Sequence, residues 1–331
     1  MVLDGYLETW DEVGARTEFT GILVGNGASL AVWDGFAYES LYNVAAHQNP
    51  TNRLVDADIA LFDVLHTRNF EHVLAGLAMA RRVTIALGVN IAVILERYTS
   101  IQNALVEAVR RTHVPWANVP GATLEKIRSE LLNYRFIYST NYDLLVYWAI
   151  MHENQGGFKD FFWEPFFDLA NTELWGKPTV ALYLHGGLHL YRTINGRTVK
   201  RHAQDGLSLL ELFGTPLDEE ATPLFISEGS AADKMASIHR SDYLAFAYTK
   251  LAHHEGPLCV FGHSLGDMDG HIVQALKQAR IRDIAISVRP GPAQAIVAAK
   301  AHAIGRLPAA SLTFYDSSSH PLGSADLRIE H

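Results

Sequence analysis

The chain has 331 residues, which suits one large domain carrying an insertion or two modest domains. Hydrophobic residues make up 48% and charged residues 19%, so there is ample apolar material for a globular core. The 27 basic and 36 acidic residues give a net charge of −9, which argues against a surface built to coat nucleic acid.

The first predicted elements are a short buried strand at 19–25, which runs into a glycine turn, and a helix at 36–48. From about 55 to 132 the apolar residues follow the 3.6-residue period of a helix. No strand pattern falls between 36 and 132, so we interpret that stretch as a helical insertion.

Beyond the insertion, strands and helices alternate. The strand-like runs fall at 135–139, 179–184, 223–227, 257–262, 283–288 and 311–315, and the helical runs at about 143–152, 230–253, 267–279 and 293–304. Asn195-Gly196 predicts a hairpin turn. Such alternation implies an α/β fold with a Rossmann-like parallel sheet. We expect residues 1–35 and 133–331 to form this domain around the 36–132 insertion.

The longest apolar stretch, near residues 83–95, is interrupted by polar residues and glycine. It falls short of the ~20 apolar residues that a membrane span needs. The start of the sequence shows no basic region of a signal peptide, so we expect a cytoplasmic protein that contacts no membrane. The single cysteine, Cys259, lies in an apolar run; it excludes an internal disulfide, and we expect it to be buried.

Ligands of parallel sheets bind where the carboxyl ends of the strands open into loops, so the informative residues should follow the strands. The first strand is followed by Gly25, Asn26, Gly27, Ala28 and Ser29. These small residues would let the backbone approach a phosphate, although a tight structural turn explains them equally well. The next strand is followed by Thr140, Asn141 and Asp143. Such residues also cap helices, yet both Asn141 and Asp143 could face the crevice.

A third strand ends on His185, followed by two glycines, and histidine suits a general base near neutral pH. A buried histidine bonded to the backbone is the alternative. His189 lies four residues on, but the glycines between them argue against a helical metal pair, so we expect no metal.

The fourth segment lies between a strand and a helix and contains Gly262, Ser264, Asp267 and Asp269. Ser264 could bind a ribose or a phosphate. The two aspartates fall at a predicted helix start, where the helix dipole favours negative charge, and capping explains one of them better than two.

Together and in this order, the four segments resemble the Sir2 family. Its Gly-Ala-Gly-x-Ser loop, Asn-x-Asp, His-Gly and late Gly-x-Ser correspond here to residues 25–29, 141–143, 185–186 and 262–264. The likeness is greatest to bacterial Sir2-like proteins, including the group with the domain name DUF4917, which share Thr-Asn-Tyr-Asp, Leu-His-Gly and Gly-x-Ser-x-x-Asp. Asn69-Phe-Glu71 and Ser227-Glu-Gly229 also look like segments of that group.

Two departures matter. Deacylating sirtuins carry a module with four zinc-binding cysteines, and this chain has one cysteine. Trp33-Asp-Gly-Phe36 stands where the family has its arginine-bearing Pro-Asp-Phe-Arg-Ser. The resemblance therefore favours the NAD-hydrolysing relatives, many of which act in bacterial anti-phage defence.

The resemblance implies that NAD is the substrate and that its nicotinamide–ribose bond is cleaved. Residues 25–29 would cradle the pyrophosphate, with Thr140 nearby, while Gly262 and Ser264 with Asp267 or Asp269 would hold the adenosine ribose or a phosphate. His185 would be the general base. Asn141 would orient the water or the ribose, and Asp143 would contact the carboxamide or favour the cationic centre.

Two other functions stay open. Gly262-His-Ser264-Leu-Gly266 matches the G-x-S-x-G nucleophile elbow of serine esterases, whose triad could be completed by Asp283 and His320. A non-catalytic sensor of NAD or ADP-ribose is the second.

The helical insertion could roof the NAD cleft or form a homo-oligomer interface. The resemblance further implies a regulator, such as an ATPase partner, whereas the trigger and the choice between ADP-ribose and its cyclic form stay open.

Overall fold

The computed structural model describes residues 3–36, 41–48, 52–152, 156–176, 178–203, 208–213, 221–226, 230–279 and 281–330. Of the family-like segments in the sequence, Ser227–Gly229 lies outside these residues.

The described residues form two sheets. In chain order the strands are β1 (Gly21–Val24), β2 (Phe136–Ser139), β3 (Phe158–Lys159), β4 (Thr179–Tyr183), β5 (Gly186–Thr193), β6 (Thr198–Lys200), β7 (Ala221–Phe225), β8 (Leu258–Phe261), β9 (Asp283–Val288) and β10 (Ser311–Asp316). Seven of them form a parallel sheet in the order β10-β9-β8-β1-β2-β4-β3. The remaining three form an antiparallel sheet in the order β6-β5-β7. The α/β prediction with a Rossmann-like parallel sheet is confirmed.

The helices cover the parallel sheet and fill the long connection between β1 and β2. They are α1 (Trp10–Gly14), α2 (Asn26–Val32), α3 (Leu41–Asn43), α4 (Asp56–Val64), α5 (Phe70–Ala86), α6 (Ala92–Thr112), α7 (Gly121–Leu131), α8 (Leu145–Met151), α9 (Leu209–Leu212), α10 (Ala231–His239), α11 (Asp242–Ala252), α12 (Gly270–Ala279) and α13 (Ala293–Arg306). A π-helical turn at Val44–Gln48 continues α3. None of the helices that the structure describes is long and apolar enough to span a membrane.

The strands at the centre of the sheet are apolar along their whole length. Every residue of β1 and β8 is buried, because helices cover both faces of a parallel sheet. Cys259 of β8 is fully buried, as predicted, and its Sγ lies 3.1 Å from the hydroxyl of Tyr315 on β10. Burial raises the pKa of this thiol to about 12, so it stays protonated.

The stretch predicted to be a helical insertion contains α3 to α7, and its described residues form no strand. Side chains of this region, including Phe62, Phe70 and Leu105, belong to the same hydrophobic cluster as the strands of the sheet. The division of the chain into an insertion and a surrounding domain stays a prediction.

Two predicted elements differ from the structure. The run at 223–227 is a strand, but β7 pairs with β5 in the antiparallel sheet, so it adds nothing to the alternation of parallel strands. The single helix expected at 230–253 is two helices, because Ser241 caps a new helix by accepting a hydrogen bond from the Leu244 N–H. The hairpin at Asn195-Gly196 is confirmed; it joins β5 to β6, and Gly196 has a φ of +82°.

Candidate functional site

A cavity of about 1080 Å³ opens at the carboxyl edge of the parallel sheet. There β1 lies between β2 and β8. The next strand in the sequence, β2, lies on one side of β1, and the later strand β8 lies on the other side, so the strand order reverses at this point. Such a switch point is where α/β sheets bind ligands. Nine of the predicted site residues line the cavity: Asn26, Thr140, Asn141, Asp143, His185, Gly262, Ser264, Asp267 and Asp269. Residues between Phe36 and Arg68 form another part of its wall.

The remaining four predicted residues, Gly25, Gly27, Ala28 and Ser29, are not part of the cavity wall as described. The Gly27 N–H donates to the carbonyl of Gly262 at 2.8 Å, so that amide is already bonded within the protein. A Cβ on Gly27 would lie 2.6 Å from Gly262 Cα, and one on Gly25 would lie 2.6 Å from the Gly262 carbonyl oxygen. The glycines therefore let the loops after β1 and β8 pack backbone to backbone, and Asn26 is the loop residue that faces the cavity.

Ser29 joins the first two segments by hydrogen bonds. Its hydroxyl accepts from Asn141 Nδ2 at 2.8 Å and donates to Asp143 Oδ2 at 2.5 Å. The same amide group of Asn141 also donates to the Gly25 carbonyl at 3.1 Å. Because all of these side chains are buried, the network fixes the orientation of Asn141 and Asp143 at the cavity wall.

Asp143 also bonds to the backbone at the start of α8, although Leu144 is the N-cap residue of that helix. Its Oδ1 accepts a hydrogen bond from the Leu145 N–H at 2.9 Å, at the start of α8. The preceding amide, that of Leu144, donates to Nε2 of the buried His113 at 2.9 Å, and His113 Nδ1 contacts the Val114 carbonyl at 2.8 Å. His113 thus holds the backbone at Leu144, directly after the 140–143 segment, and does not itself belong to the cavity wall described here. No motif in the sequence indicated His113, because it lies far upstream of this segment, at the end of the long helix α6.

His185 lies between β4 and β5, on the cavity wall. The next residue, Gly186, has a φ of +72°, and a Cβ there would come within 2.2 Å of the Leu224 carbonyl oxygen of β7. Glycine is therefore required after the histidine for β5 to pair with β7. Nε2 of His185 lies 2.8 Å from Nε2 of His271, so one ring donates a hydrogen bond to the other. Burial, with the nearby His271 and Lys234, lowers the pKa of His185 well below its ordinary value and keeps it neutral at pH 7.

Lys234, Asp269 and His263 complete this side of the cavity. Lys234 Nζ lies 2.7 Å from Asp269 Oδ1, and His263 Nε2 lies 3.5 Å from Asp269 Oδ2. His263 Nδ1 accepts from the Leu265 N–H, so the proton of the neutral ring sits on Nε2 and faces the carboxylate. Burial raises the pKa of Asp269, but His185, His263 and Lys234 together lower it to about 2, so Asp269 is ionised.

Sequence reasoning missed the residues that surround Asp269. His271 follows Asp269 by two positions at the start of α12, and this Asp-x-His spacing was a usable signal. His263 stands inside the Gly-x-Ser segment that was already singled out. Lys234 belongs to α10, whose sequence reads as an ordinary amphipathic helix, and offered no signal.

A family model described as a domain of unknown function, DUF4917, matches residues 22–322. The chain belongs to the DUF4917 family. The match begins in β1 and includes every residue of the cavity wall named above, so the whole site lies within the DUF4917 region. The comparison with curated proteins gives no match.

The DUF4917 cavity does not bring the three esterase candidates together. Ser264 follows the carboxyl end of β8, whereas Asp283 is the first residue of the parallel strand β9 and stands at the opposite edge of the sheet. His320 is fully buried, lies 3.2 Å from the Tyr134 hydroxyl through its Nε2, and stacks on Phe261.

The described geometry of this DUF4917 protein can accept a proton and stabilise positive charge. A neutral imidazole, His185, is held beside a second imidazole and an ionised carboxylate at the cavity wall. Asn141 and Asp143 present a fixed amide and a fixed carboxylate from the neighbouring loop. The volume of about 1080 Å³ slightly exceeds the ~300–1,000 Å³ typical of ligand pockets and suits an extended ligand.

Proposed function

We propose that this protein is an NAD⁺ glycohydrolase of the Sir2 type, which cleaves the nicotinamide–ribosyl bond and releases nicotinamide and ADP-ribose. The observation that carries the proposal is the convergence of four strand-end segments on one cavity at the switch point of the parallel sheet. Dinucleotides bind at this position in sheets of this architecture.

The cavity suggests how NAD would lie. Asn26 and Ser264 stand on its wall on the two sides of the β1–β8 crevice, where they could hold the pyrophosphate and the adenosine ribose. Asp267 and Asp269 follow Ser264 and could accept hydrogen bonds from ribose hydroxyls. The nicotinamide ribose would then lie towards His185, Asn141 and Asp143.

The proposed reaction breaks the bond between the ribose C1′ and the nicotinamide nitrogen. The electron pair of that bond goes to the pyridinium ring, which leaves as neutral nicotinamide, and C1′ becomes an oxocarbenium-like cation. Water adds to C1′, and its proton passes to His185 acting as general base. Asn141 would orient the water or the ribose, while the buried charge of Asp143 would favour the cation. The reaction uses NAD as substrate and requires no metal.

The test is the release of nicotinamide from NAD by the purified protein, followed by chromatography. We expect His185→Ala and Asn141→Ala each to lower turnover by ~10²-fold or more, as loss of a general base or an orienting group does. His239→Ala is the matched control, because His239 is exposed on α10 and should leave turnover unchanged. If circular dichroism shows that both site variants are folded and both keep full activity, the catalytic roles assigned to His185 and Asn141 would be contradicted.

Absence of release from the wild type leads to a second measurement, the binding of NAD by calorimetry. Binding without release would favour an NAD or ADP-ribose sensor, or an enzyme that needs a regulator such as an ATPase partner. Absence of binding would refute the Sir2-type proposal. Hydrolysis of a model ester that Ser264→Ala abolishes would instead favour the esterase.

We also propose, from the Sir2 resemblance, that the protein serves in anti-phage defence and acts as a homo-oligomer. The hairpin between α5 and α6 supports the second point. Its tip exposes apolar side chains, with Leu87 71% and Val93 69% exposed. Apolar groups gathered at one tip are typical of an interaction surface.

A further inference from the structure

We propose that His185, His271 and Asp269 form a binding site for a first-row divalent cation such as Zn²⁺, and that the bound cation blocks the proposed NADase reaction. One ligand atom from each of the three residues lies within 4.8 Å of the others. Two imidazoles and a carboxylate, with a position left open, are a common ligand set for such cations. The first part of the proposal stands on this geometry alone, and the second rests on the proposed function.

The spacing of the ligand atoms is close to what a cation requires. The two Nε2 atoms lie 2.8 Å apart. In a tetrahedral zinc site with Zn–N bonds of ~2.0–2.1 Å, two ligand nitrogens lie roughly 3.3 Å apart. A separation of the two rings by about half an ångström would therefore admit the ion. His271 occupies the first turn of α12, and His185 the short link between β4 and β5, so the ligands come from separate elements.

The cavity offers the fourth coordination position. His185 and Asp269 line its wall, whereas His271 is buried behind them. A cation held by all three would face the cavity, where water could complete its coordination shell.

Electrostatics favour a cation at this position. The described residues that line the cavity include five carboxylates but two permanently cationic side chains, Arg68 and Lys234. Among the described residues, two side chains compete for Asp269: Lys234 Nζ bonds to Oδ1 at 2.7 Å, and His263 Nε2 lies 3.5 Å from Oδ2. The contact to His263 is too long for a good hydrogen bond, so Oδ2 is available to the metal, and Lys234 and His263 would then act as the outer partners that orient the carboxylate.

The bound cation would inhibit because it takes the lone pair that the reaction needs. The cation would bind His185 at Nε2, the atom that faces His271, and the inhibitory role assigns the proton taken from water to that same atom. Metal and proton therefore compete for one atom, and His185 cannot act as a base while it is coordinated.

The first experiment measures binding without NAD. The purified full-length protein is freed of metal with a chelator and titrated with ZnCl₂ in equilibrium dialysis, and Co²⁺ is used as a spectroscopic probe of four-coordinate geometry. We expect one Zn²⁺ per chain in the wild type. His271→Gln and Asp269→Asn should each weaken binding by at least ~100-fold, because loss of even an outer partner costs 10–100-fold.

Matched controls separate the site from adventitious binding. His239→Gln removes an exposed histidine, and Asp267→Asn removes an exposed carboxylate two residues from Asp269. Both should bind Zn²⁺ as the wild type does. Equal binding by His271→Gln and the wild type, or absence of binding to the wild type, would overturn the site.

The second experiment titrates Zn²⁺ into the nicotinamide-release assay. We expect activity to fall as the site fills, and a chelator to restore it. Release that is unaffected by a filled site, or that requires added metal, would overturn the inhibitory role. A protein that binds Zn²⁺ but releases no nicotinamide with or without chelator, and binds no NAD, would refute the proposed function while leaving the metal site in place.

Discussion

Replacement of Ser29 by alanine tests whether one hydroxyl holds two predicted catalytic side chains in place. Ser29 is 2% exposed, and its hydroxyl both accepts from Asn141 and donates to the Asp143 carboxylate. The substitution removes both bonds and little else, because alanine suits α2 and is slightly smaller than serine.

The expected loss of stability follows from these contacts. A hydrogen bond to a charged group contributes ~1.5–3 kcal/mol, and a buried polar group left without a partner costs ~1–3 kcal/mol. Asn141 keeps its bond to the Gly25 carbonyl, and Asp143 keeps its bond to the Leu145 N–H, so neither group loses every partner. We therefore expect Ser29→Ala to lower the free energy of unfolding by about 2–4 kcal/mol.

Urea denaturation measures the stability and nicotinamide release measures the activity. Turnover should fall by about 10- to 100-fold, because Asn141 and Asp143 are then free to move and a shift of ~1 Å in a positioned group can cost 10²-fold. Ser129→Ala is the control, since it removes an exposed hydroxyl bonded to Glu125 and should change stability by less than about 0.5 kcal/mol. If Ser29→Ala matched the wild type in both measurements, the proposed role of the Ser29 network would be refuted.

Two further predictions concern regions outside the cavity. Burial lowers the pKa of His254 to about 4. Between pH 6.5 and 4 the unfolded state therefore binds a proton that the folded state does not. As the pH is lowered through this range, the free energy of unfolding decreases by roughly 3 kcal/mol because of this group. His254→Gln should flatten that part of the curve of unfolding free energy against pH, and an unchanged slope would contradict the assignment. Leu87→Glu combined with Val93→Glu should shift the protein towards monomer in light scattering; a wild type that is monomeric at every concentration would refute the proposed oligomer interface.

The fold could be read largely from the sequence because central parallel strands are short apolar runs ended by small or polar residues. The runs at 257–262 and 283–288 match β8 and β9 closely for this reason. β5 was missed because it begins with Gly186 and Gly187, residues that are disfavoured in strands. Its pairing with β7 depends on the close approach of the Leu224 carbonyl to Gly186, a tertiary contact that no local pattern encodes.

The sequence allowed the cavity-wall residues to be predicted, but not the residues that bond to them. The strand-end rule identified Asn141, Asp143 and His185, because position after a strand can be read from the sequence. It could not identify the partners of these residues. Ser29 was expected to face a phosphate and instead joins Asn141 to Asp143, and Lys234 reaches Asp269 from a helix thirty-five positions upstream.

The two sides of the cavity also differ in how fully their polar groups are bonded, and this difference indicates where a ligand would act. Asn141 and Asp143 have protein partners that fix their orientation before any ligand binds. On the other side, His271 Nδ1 is buried and has no hydrogen-bond partner within the part of the chain that the structure describes, and His263 Nε2 faces Asp269 Oδ2 at 3.5 Å without forming a hydrogen bond. Because each such group costs ~1–3 kcal/mol, the histidine side gains most from a ligand that supplies a partner or rearranges the rings. We therefore expect ligand-induced change to concentrate at His185, His263 and His271, while the Asn141 side remains rigid.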